Sequence, residues 1–342
     1  MKTKTTLINI VYSLAAAASL AACGGGGGAD APTTTSPVVA TPLPVAAVVA
    51  AVPAATYTPG SEEAAGFALL NAERKRCGFG LLQQSSKLDQ SDRNHVNFLQ
   101  ANGIDFGHLE QSGLPFFTGV TETARAAFVG YQNRVTAVNF SSMWPTPAAG
   151  ITLRASEAIR TLLASPYHAI GMIDSHADIG IAEKHWAQDG NPGYEMGVTN
   201  ITLGQRAGVN DLDPSEVYTY PCAGSVGVDK GLGNETPSPI PVNLSRSFYL
   251  YGTPIIVKVR NGKTLKVTSV TLAPQAGGAP VATTAVDRTN DPQGSAYIAA
   301  PASAAYALPM AKLLPLTAYT STVTGTSDGV NFTKTFSFTT GE

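Results

Sequence analysis

The chain has 342 residues, with 22 Lys and Arg against 24 Asp and Glu, a formal net charge of −2, and only 13% charged residues. That balance, with no basic run, aromatic ladder or zinc-finger cysteine spacing, argues against nucleic acid as a partner. The 34 glycines and 23 prolines beside 44% hydrophobic residues mark a turn-rich chain with enough apolar material for two cored domains.

Lys2 and Lys4 precede an apolar run over 7–22, and the run ends Leu20-Ala21-Ala22-Cys23. This is the pattern of a secretory signal too short for a confident membrane span. Its end resembles the lipobox of bacterial lipoproteins, which implies cleavage after Ala22 and a lipid on Cys23. The alternative is an ordinary signal peptide with Cys23 left free. Gly24 through Gly28 supply a flexible spacer, and the lack of aspartate at position 24 resembles the sorting pattern of Gram-negative lipoproteins, which implies an exported protein anchored at the outer membrane. Losing 1–22 removes Lys2 and Lys4 and leaves 20 basic against 24 acidic side chains. Residues 23–60, rich in Gly, Thr, Pro, Ala and Val, read as a flexible tether.

A mixed α and β pattern occupies 61–207. Ser61 is placed to cap a helix with acidic Glu62 and Glu63 in its first turn and Arg74, Lys75 and Arg76 in its last, stopped by Gly78 and Gly80. A second helix is expected over 86–101, with Leu88, His95, Phe98 and Leu99 on one face. Further helices are expected over 121–131 and 156–163, the latter closed by Ser165-Pro166. Strands are expected over 179–183 and 195–203, with a Gly/Pro turn over 189–193 between them. Residues 208–243 read as a polar, Pro-rich linker. Strands are expected over 248–251, 254–259, 265–272, 296–300, 318–325 and 332–339 within 244–342, which suggests an immunoglobulin-like β-sandwich, with a small barrel as the alternative. Once Cys23 is acylated, Cys77 and Cys222 are the remaining cysteines. In an oxidising compartment they read as a disulfide, the alternative being two buried thiols.

An ordered set of short motifs over 61–207 resembles the CAP superfamily (cysteine-rich secretory proteins, antigen 5, pathogenesis-related protein 1) in its bacterial branch. Leu70-Asn71-Ala72-Glu73-Arg74 followed by Cys77-Gly78-Phe79-Gly80 looks like the family's opening helix. Asn94-His95-Val96-Asn97-Phe98-Leu99 sits where the family has "H-x-x-x-M". Gly107-His108-Leu109-Glu110 matches its "F-x-H" segment. Phe117-Thr118-Gly119, Arg125 and Gly130-Tyr131 look like its "FTG…R…GY" stretch. Ala164-Ser165-Pro166-Tyr167-His168 matches "W-x-x-S-P-x-H", and Asp178-Ile179-Gly180-Ile181 the strand that follows. The resemblance implies an α-β-α sandwich with a cleft lined by two histidines and two acids that holds a divalent metal in some members.

Carried over by position, the histidines are His108 and His168, as cleft residues and as ligands for zinc. The two acids are missing: Ala137 stands where the first is expected and Ser165 where the second is expected. Glu110, two residues from His108, is a substitute if that segment is extended; Glu157 and Asp174 are more distant candidates. Two imidazoles without carboxylates make a poor catalytic zinc site. His95 reads as a core histidine, Arg125 as structural, and His176 and His185 as surface residues. Asp211, Asp213 and Glu216 lack EF-hand spacing. No G-x-S-x-G, H-E-x-x-H, P-loop or G-x-G-x-x-G motif is present.

The reading is therefore an exported, lipid-anchored, non-catalytic binding module, taking a lipid, another small apolar ligand or a protein partner at a His-lined cleft. The alternatives are a metal-assisted hydrolase using His108, His168 and Glu110, and a structural envelope protein whose cleft is vestigial.

Overall fold

The computed structural model describes residues 48–145, 154–187, 193–241, 248–294 and 299–342. Cys23, the apolar run before it, most of the tether, the 189–192 turn and most of the strand expected at 296–300 lie outside these residues. The chain is α+β, and Pro44–Glu342 forms one compact unit.

Helix α1 (Glu62–Cys77) starts where Ser61 accepts the Ala64 N–H and ends where Gly78 takes φ 80°, a left-handed conformation that costs glycine least. Strand β1 (Gln83–Gln84) leads to α2 (Ser86–Ala101), capped by Ser85. Helix α3 (Glu122–Phe128) follows, four residues shorter than its pattern suggested. A long strand, β2 (Arg134–Pro145), stands where no strand was expected. Helix α4 (Arg154–Leu163) runs into α5 (Pro166–Met172), so Ser165-Pro166 opens a helix as well as closing one. Proline at the first helical position loses nothing, because that N–H has no intrahelical acceptor.

Strands β3 (Asp178–Ala187) and β4 (Tyr194–Gln205) complete a sheet of order β1-β3-β4-β2, parallel at β1/β3 and antiparallel elsewhere. Alternation along β3 puts helices on both faces. Ile179 and Ile181 join the cluster that holds Leu70 of α1 and Ile159 of α4, while Ala182 joins Val96, Phe98 and Leu99 of α2. Gly180 lies beneath α2 so closely that a Cβ would overlap the Leu88 carbonyl carbon. Asp92 of α2 accepts from Asn200 Nδ2 at 2.7 Å and the Thr202 N–H at 3.0 Å on β4, which satisfies a fully buried carboxylate.

The segment expected as a linker contributes two strands, β5 (Tyr218–Tyr220) and β6 (Ser225–Val228). They pair with β7 (Ile255–Lys258), β8 (Leu265–Pro274), β9 (Thr283–Val286), β10 (Ala304–Pro309), β11 (Ala318–Ser327) and β12 (Val330–Thr340) in two four-stranded sheets, β5-β7-β10-β9 and β6-β12-β11-β8. Both sheets feed one core, including Ile255, Val257 and Ala307 from the first and Leu272, Val323, Phe336 and Phe338 from the second. This β-sandwich begins at Tyr218, not at residue 244. Phe248–Leu250 forms a 3-10 turn where a strand was expected.

Strands β7 and β10 are buried on both faces. Ile256, Tyr306 and Leu308 point away from the sandwich core and into the cluster of Ile170 and Met172 of α5 and the capping Ile173. Their sequences IIVK and AAYALP lack alternation for this reason. The two halves thus share a core. A disulfide between Cys77 at the end of α1 and Cys222 between β5 and β6, with Cα atoms 5.4 Å apart, crosses the same junction.

The last part of the expected tether is docked. Val48 and Tyr57 pack on the main core, the Val49 N–H donates to Asn210 Oδ1 at 2.7 Å, and Tyr57 donates to Asp89 at 2.6 Å. Hydrophobic side chains and backbone bonds fix these residues, where composition alone suggested an unconstrained chain. Among the described residues, every core cluster, the disulfide and every sheet pairing lie within the compact unit 44–342.

Candidate functional site

A cavity of about 400 Å³ lies between β2 and α5 on one side and the 235–237 and 299–301 segments on the other. This falls within the range of small-molecule sites. Its wall includes Thr136, Ala137 and Val138 of β2, Tyr167, His168, Ile170 and Gly171 of α5, and Ala299, Ala300 and Pro301. His108, Arg134, Asp174 and Glu235 are the other ionisable groups in the wall.

Helix α5 presents His168 through an external cap. A helix leaves its first N–H groups without partners. Ser165 does not fill that role, since its hydroxyl donates to the Thr161 carbonyl at 2.9 Å, the preceding helix's last turn. Glu235 takes it over. One carboxylate oxygen accepts the Tyr167 N–H at 3.2 Å; the other accepts the His168 N–H at 2.8 Å and faces His168 Nδ1 at 2.6 Å. Glu235 is 4% exposed. A buried carboxylate with three nitrogen partners is well satisfied, and the helix dipole favours its charge. The pairing fixes the orientation of His168 and leaves Nε2 without a hydrogen bond among the described residues.

His108 reaches the cavity from the loop before α3. The Arg125 guanidinium donates to the His108 backbone carbonyl at 2.8 Å and holds that loop. The His108 and His168 rings lie 6.5 Å apart at 27°. His108 keeps solvent exposure at the cavity; partial desolvation first, then the neighbouring His168, lowers its pKa. His108 is therefore expected to protonate at lower pH than a free imidazole, checked by ring ¹⁵N chemical shifts; an unshifted midpoint would mean that solvent outweighs the neighbouring His168.

Glu110 does not enter the cavity. Its carboxylate lies 3.1 Å from His95 Nδ1 and accepts the Thr118 and Gly119 N–H groups at 2.7 and 3.2 Å. Burial alone would raise its pKa, but His95, the Thr118 amide and Arg125 hold it below the usual carboxylate range. The loop folds back so that the Glu110 N–H bonds the Val120 carbonyl. The segment is not the extended strand that would aim Glu110 alongside His108. His95 is buried and Arg125 is structural. His176, read as a surface residue, is 4% exposed. It sits in the turn after α5, where Arg74 and Asn210 bind its backbone carbonyl.

Of the expected site residues, His108, His168 and Ala137 line the cavity, and Ser165 and Glu110 do not. Asp174 also lines it, and Glu157 is exposed on α4. Burial alone would raise the Asp174 pKa, but Lys258, 3.1 Å away and fully buried, holds it well below the ordinary range. Sequence reasoning missed Glu235 and Arg134. Glu235 is an isolated acid in a Gly/Pro-rich stretch 67 residues after His168, and nothing local distinguishes it from a solvated side chain.

The donor set does not suit zinc. Among the described residues no three His, Cys, Asp or Glu side chains converge as ligands, whereas zinc sites normally take at least three protein ligands. The Glu235 carboxylate is already taken up by two backbone amides and His168 Nδ1, and Asp174 by Lys258. The chain matches no protein-family model and no curated protein.

Proposed function

We propose that this chain is an exported, lipid-anchored binding protein of CAP type, and that the His-lined cavity takes a small, largely apolar ligand. The observation that carries this reading is the cavity itself: about 400 Å³, walled by Ala137, Val138, Ile170, Ala299 and Pro301, with a few polar groups at fixed positions. The signal and lipobox pattern at Cys23 supports export and anchoring. The ordered motifs support the CAP reading, as does a sheet with helices on both faces. For the immunoglobulin-like sandwich, the support is strand order. The sheets β5-β7-β10-β9 and β12-β11-β8 follow the ABED and GFC orders of that fold, with β6 parallel to β12.

The test is dye binding by residues 44–342. Nile red, a neutral apolar dye, is expected to bind one site with enhanced fluorescence. Ala137→Phe, which places a ring into the cavity from β2, is expected to weaken binding at least about tenfold with an unchanged melting temperature. Equal binding by both proteins would place the dye elsewhere and remove the reading.

One observation favours a second reading. Glu235 holds His168 in the arrangement that prepares an imidazole as a general base. Ester hydrolysis lost in His168→Gln while Nile red binding persists would favour this reading over passive binding.

A further inference from the structure

We infer that the ligand carries a single carboxylate on an apolar body, and that Arg134 holds that carboxylate. The inference rests on the cavity being a binding site, as proposed above.

The lining contains two acids and one arginine. Both acids are engaged. Glu235 accepts two backbone amides and faces His168 Nδ1. Asp174 pairs with Lys258 and accepts from Asn261 Nδ2 at 2.8 Å and the Ser175 N–H at 2.8 Å. Arg134 differs. It is the first residue of β2, where pairing with Gln205 fixes its backbone, and its side chain is exposed at the cavity edge. Among the described residues no carboxylate and no carbonyl bonds its guanidinium.

The cavity therefore presents one unmatched cation at its rim and apolar surface from Val138, Ile170 and Pro301 beyond it. A guanidinium's parallel N–H groups match the two oxygens of a carboxylate. Charge suits a monoanion: with Glu235 and Asp174 already matched, Arg134 supplies one uncompensated positive charge, and a dianion such as a phosphate monoester would keep one charge unpaired. An amphiphilic monocarboxylate places its charge at the rim and its body against the apolar wall.

Displacement of Nile red from residues 44–342 by decanoate and by decanol tests this. The decanoate-to-decanol affinity ratio is expected to fall about tenfold in Arg134→Gln and further in Arg134→Glu, with decanol affinity unchanged. Arg134 is exposed, so neither variant threatens folding. An unchanged ratio in both variants overturns the carboxylate inference and leaves the cavity reading standing. Failure of both compounds to displace the dye from the unsubstituted protein removes the cavity reading itself, and this inference with it.

Discussion

Arg74→Met is expected to lower the unfolding free energy by about 4 kcal/mol. Arg74 lies on α1, fully buried, and its guanidinium donates to five backbone carbonyls. Nε reaches Gly80 at 2.9 Å, Nη1 reaches Met172 at 2.7 Å and Asp174 at 3.0 Å, and Nη2 reaches Phe79 at 2.8 Å and His176 at 3.5 Å. Two irregular segments, the turn after α1 and the turn after α5, thus take their hydrogen bonds from one side chain. Methionine fills comparable volume but leaves the Phe79, Gly80 and Met172 carbonyls without the Arg74 donors, while the Asp174 and His176 carbonyls keep the His176 N–H and Asn210. Lysine would recover part of the loss, since an ammonium has three donors and no planar fork. Burial pushes the Arg74 pKa down to about 9, so the group stays charged at neutral pH. Urea unfolding of both variants is the measurement, and a loss below about 1 kcal/mol in Arg74→Met would mean the turns find other partners. Because Met172 closes the helix that carries His168, the same variant should also weaken Nile red binding.

Removing the disulfide is expected to cost about 4 kcal/mol. Cys77 and Cys222 are separated by 145 residues, and the chain-entropy account assigns roughly 4–5 kcal/mol to a loop of that order, with measured values often lower. The link joins α1 to the first strands of the sandwich, so its loss should loosen the junction that encloses the cavity. Additivity provides the sharper check. Cys77→Ala, Cys222→Ala and the double variant should destabilise by the same amount, because any one of them opens the same crosslink. Two free buried thiols would instead give losses that add. Equilibrium denaturation of the three variants, with and without reductant, separates these outcomes.

The parts of the fold legible in the sequence are those set by neighbours in the chain. Ser61 and Gly78 bound α1 because caps and left-handed glycine act within one turn. Helix α2 and strands β3, β4, β11 and β12 follow from period alone. Strand β2 was not legible: its RVTAVNFSSMWP sequence has no clean alternation, and its pairing with β4 across a full 12-residue register decides it. Strands β5 and β6 hid in a Pro-rich stretch, because three or four residues carry no period and are strands only when a sheet edge accepts them.

The candidate site divides along the same line. The positions of His108 and His168 came from motif order, and both rings reach the cavity. The carboxylate beside His168 is Glu235, on a segment that looked like a linker, because α5 needs a cap and Ser165 faces the preceding helix. Glu110 had the right spacing from His108 but was drawn inward by His95 and two amides.

By itself, the sequence determined the caps, the periodic helices and strands, the cysteine pair left to find each other, and the two histidines worth following. Only the tertiary structure decided which acid meets which histidine, that the two halves share a core through β7 and β10, and that a cavity opens between them. The physical reason is range. Caps and periodicity act over one or two turns of chain, whereas a buried carboxylate takes whatever donors the packed fold brings within 3 Å or so.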